Sequence, residues 1–373
     1  MIRVGIVGVG KMGLSHLSII NTHPEVQVVG LCDATGYVLD VMNKYTGLPS
    51  FGDYRTMLNE AAPDAVVVAT PSRTHAEICR TALEGGRHVF VEKPFCLSVT
   101  EGQDLVALAA ATGKVNQVGY HYRFVGAFRE VKRLLDLGVL GTVHHFRVQA
   151  YGPVVLQAKG STWRSNKHEG GGCLYDYASH AANLATFLFG VPSGVGGTVV
   201  HGVFSRDVDD EVYATLHYGS GLSGQMCINW SDDTHRKMSM RIEVWGTQGR
   251  INADRQECQV YLREARPDAA LPAGWSIRYT TELTEPVRYY VRGEEYSAQM
   301  DYFVDSIRLG RKDNINSFAS ALETDRVLDM LERDAALGPR TTAGEAAPAR
   351  RRLTGLRGAL VRWLGGSDMV GVS

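Results

Sequence analysis

From residue 2 to residue 120 the chain repeats one unit: a short run of unalternated Val and Ile, then a segment with helical spacing. The apolar runs lie at 4–7, 26–32, 65–69, 88–91 and 115–119, and the helical segments around 14–21, 38–45, 75–83 and 101–111. Strands without apolar–polar alternation are buried on both faces, which is the signature of a parallel sheet. Strict βα alternation then implies a doubly wound α/β fold.

After residue 121 the rhythm changes. A helical stretch at 128–137 leads into a strand at 142–150, followed by longer, more alternating strands at 198–204, 212–218, 222–230 and 238–245. Gly219-Ser220-Gly221 reads as a tight hairpin between two of them. Helices follow at 296–309 and 319–337. The second half is therefore an α+β domain around a mixed or antiparallel sheet with one face covered. The expected organisation is a doubly wound α/β domain over 1–122, an α+β domain over 123–338, and a tail over 339–373.

A length of 373 residues suffices for two domains with substantial cores. A formal net charge of -1 draws the protein to neither nucleic acid nor acidic surfaces. Cys32, Cys79, Cys96, Cys173, Cys227 and Cys258 are scattered without a C-x-x-C pair. That pattern argues against a zinc site or disulfide framework and favours a reducing compartment. Met1-Ile2-Arg3 enters a strand at once, and no apolar run reaches the ~20 residues of a membrane span. The expectation is a cytoplasmic protein. In the tail, a Pro- and Ala-rich linker over 339–348 precedes a basic amphipathic segment at 350–364. Three readings stand for it: peripheral membrane contact, docking on a partner or on the protein's own surface, or a loosely held tail.

Gly8-Val9-Gly10-Lys11-Met12-Gly13 is a G-x-G-x-x-G placed after the first strand and before a helix. The first glycine permits the turn, the second lets backbone approach a pyrophosphate, and the third allows close helix–strand packing. The free N–H groups of the helix start attract the phosphates. Asp33 ends the second strand, where a carboxylate accepts ribose hydroxyls and repels a 2′-phosphate. NAD is thus expected over NADP; Ala34 offers no cation to a phosphate, although Lys11 compensates in part. Thr70 and Pro71 close the next βα unit and would line the nicotinamide side. There His75 has either a direct role or sits exposed on a helix capped by Ser72 or Thr74.

The strand at 88–91 runs into Glu92-Lys93-Pro94. A lysine at the carboxyl end of such a strand stands where open α/β sheets bind ligands, and the proline, which can hold a cis peptide, fixes it in place. Further on, Gly170-Gly171-Gly172 precedes Asp176 and His180, four residues apart and on one face of a helix. Histidine can take a proton from an alcohol as hydride leaves its carbon. The pair also fits a capping aspartate and a satisfied histidine.

The glycine turn, the Glu92-Lys93-Pro94 triplet and the Gly170–Gly172…Asp176…His180 segment, in this order, resemble the Gfo/Idh/MocA family of oxidoreductases. The resemblance spans residues 1–335 and includes the glycine turn Gly246-Thr247-Gln248-Gly249. It implies a Rossmann domain followed by a large, mostly antiparallel open-faced sheet, and assembly as a homodimer or homotetramer. It also implies NAD(P)-dependent hydride transfer at a sugar, polyol or nucleotide sugar. Carried over, Lys93 would bond the reacting oxygen and the nicotinamide ribose, His180 would be the general base, and Asp176 would bind a neighbouring hydroxyl. Ala178 stands where many members have glycine. Tyr120, Arg123, Trp163 and Arg164, with Lys167 and His168 nearby, are candidate substrate contacts, and arginines facing the pocket would favour an anionic substrate. For Arg123 and Arg164 a structural ion pair is the other reading. The same fold also hosts NAD-dependent glycosidases and non-catalytic cofactor sensors.

Overall fold

A computed structural model describes residues 1–156, 163–311 and 314–338; the segment 350–364 lies outside the described residues. The first sheet holds β1 (Ile2–Val7), β2 (Val26–Cys32), β3 (Ser50–Phe51), β4 (Ala65–Val68), β5 (His88–Val91) and β6 (Asn116–Val118). Their spatial order is β3-β2-β1-β4-β5-β6, and every pairing is parallel. Between them run α1 (Lys11–Ile20), α2 (Gly36–Thr46), α3 (Tyr54–Glu60), α4 (His75–Glu84) and α5 (Val99–Thr112). The strand order reverses between β1 and β4, so the crevice for a ligand opens at the carboxyl ends of those strands.

The absence of alternation in these strands has its predicted cause. Val4, Ile6, Ala65, Val67 and Phe90 pack on one face, while Val66, Val68, Val89 and Val91 pack on the other. Two late helices complete those layers. Met300, Phe303 and Val304 of α9 (Glu294–Arg308) join the first group, and Phe318, Ala321 and Leu322 of α10 (Phe318–Leu337) join the second. The chain's last described helices thus cover the sheet built from its first residues.

Two elements here escaped the sequence reading. With only two residues, β3 is too short for any periodicity, and it is held by pairing to Leu31 and Cys32. The seven-residue α3 is too short for an apolar stripe but is capped by Asp53, whose carboxylate accepts the Thr56 N–H at 2.9 Å.

The chain then crosses through a short helical turn at His121–Phe124 and α6 (Gly126–Asp136) into the second sheet. This comprises β7 (Val143–Tyr151), β8 (Gly194–His201), β9 (Glu211–His217), β10 (Ser223–Asn229), β11 (Arg241–Gly246), β12 (Gly249–Asp254), β13 (Glu257–Leu262) and β14 (Gly274–Tyr279), with α7 (Ser179–Phe189) and α8 (Thr280–Leu283). The order is β14-β13-β12-β11-β7-β10-β9-β8; β7–β10 pair parallel and all other neighbours antiparallel. The hairpin at Gly219–Gly221 forms, with the Tyr218 N–H donating to the Leu222 carbonyl at 3.0 Å.

One face of this sheet supplies Phe146, Val148, Met226, Ile228, Ile242, Val244, Ile251 and Val260 to a core shared with Phe128, Val131 and Leu184 from α6 and α7. The last three strands were not predicted. In β13 Glu257 and Gln259 alternate with buried Cys258 and Val260; in β12 Ile251, Asn252 and Ala253 are buried in succession, and in β14 the exposed positions are Trp275, Ile277 and Tyr279. The strand predicted at 198–204 begins earlier, at Gly194, and ends at His201.

Candidate active site

At the end of β1, Gly8 adopts φ +89°, and a Cβ there would stand 2.7 Å from the Ala69 backbone. Gly10 starts α1 with no side-chain cap and no acidic residue in the first turn. A Cβ on Gly10 would project into open space, so the backbone there stays open to an approaching ligand. One on Gly13 would lie 1.8 Å from the Gly8 carbonyl oxygen. Lys11 and Met12 form the first residues of that uncapped helix start, which fits a diphosphate. Asp33, just past β2, accepts the Val9 N–H at 2.7 Å and the Thr35 N–H at 2.9 Å, tying the glycine turn to the end of β2. Replacing Gly13 with alanine should therefore open the turn and weaken NAD binding at least tenfold, measurable by cofactor fluorescence. Wild-type affinity would show that the turn is not the cofactor cradle.

Of the two readings of His75, the exposed one is not found. The residue is buried, with Nδ1 2.9 Å from the Pro94 carbonyl and Nε2 3.0 Å from the Thr70 carbonyl. Both ring nitrogens are engaged by backbone, so His75 clasps the loop after β4, with Thr70 and Pro71, to the loop after β5. Neither Ser72 nor Thr74 caps α4 with its side chain; the Thr74 hydroxyl instead donates to the Pro71 carbonyl at 2.8 Å.

After β5, Glu92 is buried and lies 2.6 Å from His16 Nε2 on α1. Burial pushes the Glu92 carboxyl up, but His16 and Lys93 outweigh it and hold it below its ordinary range. The Lys93–Pro94 peptide is cis. Lys93 Nζ donates to Asp176 Oδ1 at 2.5 Å and to the Asp176 carbonyl at 3.1 Å. The other carboxylate oxygen, Oδ2, accepts Arg164 Nε at 2.8 Å. Asp176 is only 2% exposed. Burial alone would raise its pKa, yet Lys93 and Arg164 bring it down to about 2.

Asp176 sits in a π-helical turn, Leu174–Ala178, that runs directly into α7 and its His180. Such turns insert an extra residue and recur at functional sites. The glycine run makes the approach: a Cβ on Gly171 would stand 2.5 to 2.7 Å from the carbonyls of Arg164, Trp163 and Asn166, so the 163–166 backbone packs directly against it.

The His180 ring is buried among three others: His121 at 4.9 Å between centroids, Tyr122 at 5.2 Å and Tyr120 at 6.0 Å. Its pKa is held well below the ordinary histidine value, first by burial and then by the charges of Lys93, His121, Arg164 and Arg255. Nδ1 is buried without a hydrogen-bond partner.

Residues 2–120 match the oxidoreductase family with an NAD-binding Rossmann fold, and residues 128–252 match the C-terminal domain of the same GFO/IDH/MocA family. The chain belongs to the GFO/IDH/MocA oxidoreductase family. It is 33% identical to the uncharacterized oxidoreductase YdgJ of Escherichia coli over 196 residues, which cover 51% of this chain and 54% of YdgJ. Identity to the NADP-dependent scyllo-inositol 2-dehydrogenase IolW of Bacillus subtilis is 29% over 221 residues, covering 58% of this chain and 60% of IolW. The match thus spans only about half the length of these two curated relatives. Among solved structures, GenD2 from gentamicin A biosynthesis, in complex with NAD, aligns with a TM-score of 0.74 at 26% identity, covering 91% of this chain and 95% of GenD2.

Within this family member, one predicted substrate contact is placed elsewhere. Arg123 is buried, donating to Asn183 Oδ1 at 2.8 Å, to Ser320 Oγ at 2.5 Å and to the Ile315 carbonyl. Those bonds tie α7 to α10 and leave the guanidinium no reach into a pocket; no carboxylate pairs with it among the described residues. Arg164 does face the site through Asp176, with its guanidinium 4.9 Å from the Trp163 ring centroid. Lys167 points to the exposed Glu332 at 4.0 Å.

Five residues reach this site without having been singled out. His16 pairs with Glu92, Tyr296 stacks on His121 at 4.4 Å, and Arg255, Arg292 and Glu295 surround that stack. They come from α1, the turn after β12, the segment just before α9 and the first turn of α9. Separations of this size carry no local sequence signal.

Proposed function

We propose that this oxidoreductase is an NAD-dependent dehydrogenase for a secondary alcohol of a sugar, polyol or nucleotide sugar. The observation that carries the proposal is the convergence of Lys93, Asp176 and His180 at the carboxyl end of β5, two strands along the sheet from the glycine turn. When bound, NAD supplies the nicotinamide C4 as hydride acceptor.

His180 Nε2 takes the hydroxyl proton. A histidine held neutral by burial and neighbouring cations is a base throughout the neutral range. Lys93 Nζ donates to the alcohol oxygen and stabilises the negative charge developing there. Asp176, ionised far below neutrality, holds Lys93 in place, and its carboxylate accepts an adjacent substrate hydroxyl. In the reverse direction His180 returns the proton. The Asp33 carboxylate at the ribose end supports NAD over NADP, and IolW's inositol substrate supports a cyclic polyol or sugar.

Two measurements test the proposal. NADH absorbance should rise with a member of a panel of hexoses, inositols and nucleotide sugars; sugar release without net NADH would favour glycosidase chemistry. Because the folded pKa of His180 is lowered, the base stays deprotonated until pH falls through that low value. The acid limb of kcat/KM should therefore lie below about 6.5, the ordinary histidine value. His180→Gln should remove that limb and cost about 10²- to 10⁴-fold in kcat. A limb at or above 7, or full activity in the variant, would sink the base assignment.

A further inference from the structure

We infer that the substrate carries a negative charge, as a sugar carboxylate or sugar phosphate, and that Arg292 with Arg255 receives it. This rests on the dehydrogenase reading above and deepens it.

Four cations converge on the two buried histidines: Lys93, Arg164, Arg255 and Arg292 all act on His121 or His180. Three carboxylates accompany them, and each is already committed. Asp176 serves both Lys93 and Arg164, Glu295 pairs with Arg255, and Glu92 pairs with His16. Arg292 is the cation left over. It forms no ion pair among the described residues; its side chain bonds the Tyr296 hydroxyl, while its Nε is buried without a hydrogen-bond partner. A guanidinium donor withdrawn from water and left unmade is costly, so the arrangement favours an anion that completes it.

Its position relates it to the reacting atoms. The guanidinium carbon lies 5.3 Å from the Tyr296 ring centroid, Tyr296 stacks on His121 at 4.4 Å with planes 20° apart, and His121 meets His180 at 4.9 Å. Arg292 therefore stands at one end of a row of three rings whose other end is the proposed base. A substrate lying along this row would turn a hydroxyl towards His180 and its charged group towards the Arg292 end. Arg255 flanks the same row, acting on His121, Tyr122 and His180. The cofactor's diphosphate does not account for these cations. Its cradle follows β1, while His121 follows β6 at the edge of the sheet, three strands away. A planar guanidinium suits a carboxylate or phosphate through paired N–H donors, and an excess of positive charge in a walled site gathers anions.

The test uses the full-length protein loaded with NAD and titrated calorimetrically with matched ligands. D-glucuronate and D-galacturonate represent carboxylates, the hexose 6-phosphates represent phosphates, and D-glucose and D-galactose are the neutral controls. We expect one anionic set to bind at least about tenfold tighter than its neutral counterpart. That preference should shrink as salt rises from about 0.02 to 0.5 M, collapse in Arg292→Gln and largely survive in Arg292→Lys. Equal binding of anionic and neutral sugars, or a preference indifferent both to salt and to Arg292→Gln, overturns the inference. NADH absorbance in the same samples separates the two readings. Tight anion binding without NADH keeps the anion site and sinks the dehydrogenase, whereas NADH from neutral polyols with no anion preference does the reverse.

Discussion

Lys93→Ala lowers turnover by about three orders of magnitude while NAD affinity changes by less than about threefold. The asymmetry follows from where the lysine's bonds go. Nζ is committed to the Asp176 carboxylate and carbonyl, on the substrate side, whereas the glycine turn and Asp33 are held by their own backbone contacts. Removing a donor aimed at a developing oxyanion costs about 10²- to 10³-fold. Alanine also frees Asp176 from its guide, leaving Arg164 as its partner. Single-turnover NADH formation, set beside NAD binding by fluorescence, reads both halves. Undiminished turnover would remove Lys93 from the chemistry, and lost NAD binding would reassign it to the cofactor.

Asp176→Asn is the second large effect, and here it appears in stability as well as rate. The wild-type carboxylate answers two cations, and the Lys93 side chain is only 12% exposed. Removing one member of a buried pair leaves the other uncompensated, at a cost of about 3–5 kcal/mol. The pH dependence has a definite sign. An unfolded aspartate titrates near 3.9, and the folded carboxyl near about 2. Since the folded value is the lower, the unfolded chain binds the proton first. The stabilisation, on the order of 2 kcal/mol, is complete above about pH 4 and drains away as pH falls towards 2. Urea unfolding between pH 2.5 and 7 should show that slope in the wild type and a flatter one in Asp176→Asn. Parallel curves would mean that the pair contributes nothing to the folded state.

The contrast between these two residues and Arg123 shows what local pattern carries. All three are polar residues beside glycine-rich or aromatic segments, and arginine near a predicted pocket invites a substrate role. Arg123 instead spends its donors on Asn183, Ser320 and the Ile315 carbonyl. Two of those partners lie almost two hundred residues away, on or beside α10, and nothing near position 123 signals them. His75 behaves alike: its helical register was legible, but its burial depends on the Pro94 carbonyl of a separate loop.

What the amino-acid sequence determined by itself is the set of features with a local cause. Unalternated Val and Ile runs make strands buried on both faces, and the glycines at positions 8 and 13 make a turn that leaves no room for a Cβ. A lysine at a strand end followed by proline stands at the mouth of a parallel sheet. Those causes act over a few residues, so they survive without any knowledge of the fold. Only the tertiary structure decided which charges meet. The pairing of Lys93 with Asp176, the row from Arg292 through Tyr296 and His121 to His180, and the closing of the first sheet by the last helices all join residues far apart in sequence. Coulombic and desolvation energies depend on distance and burial in space, and neither is written in the order of residues along the chain.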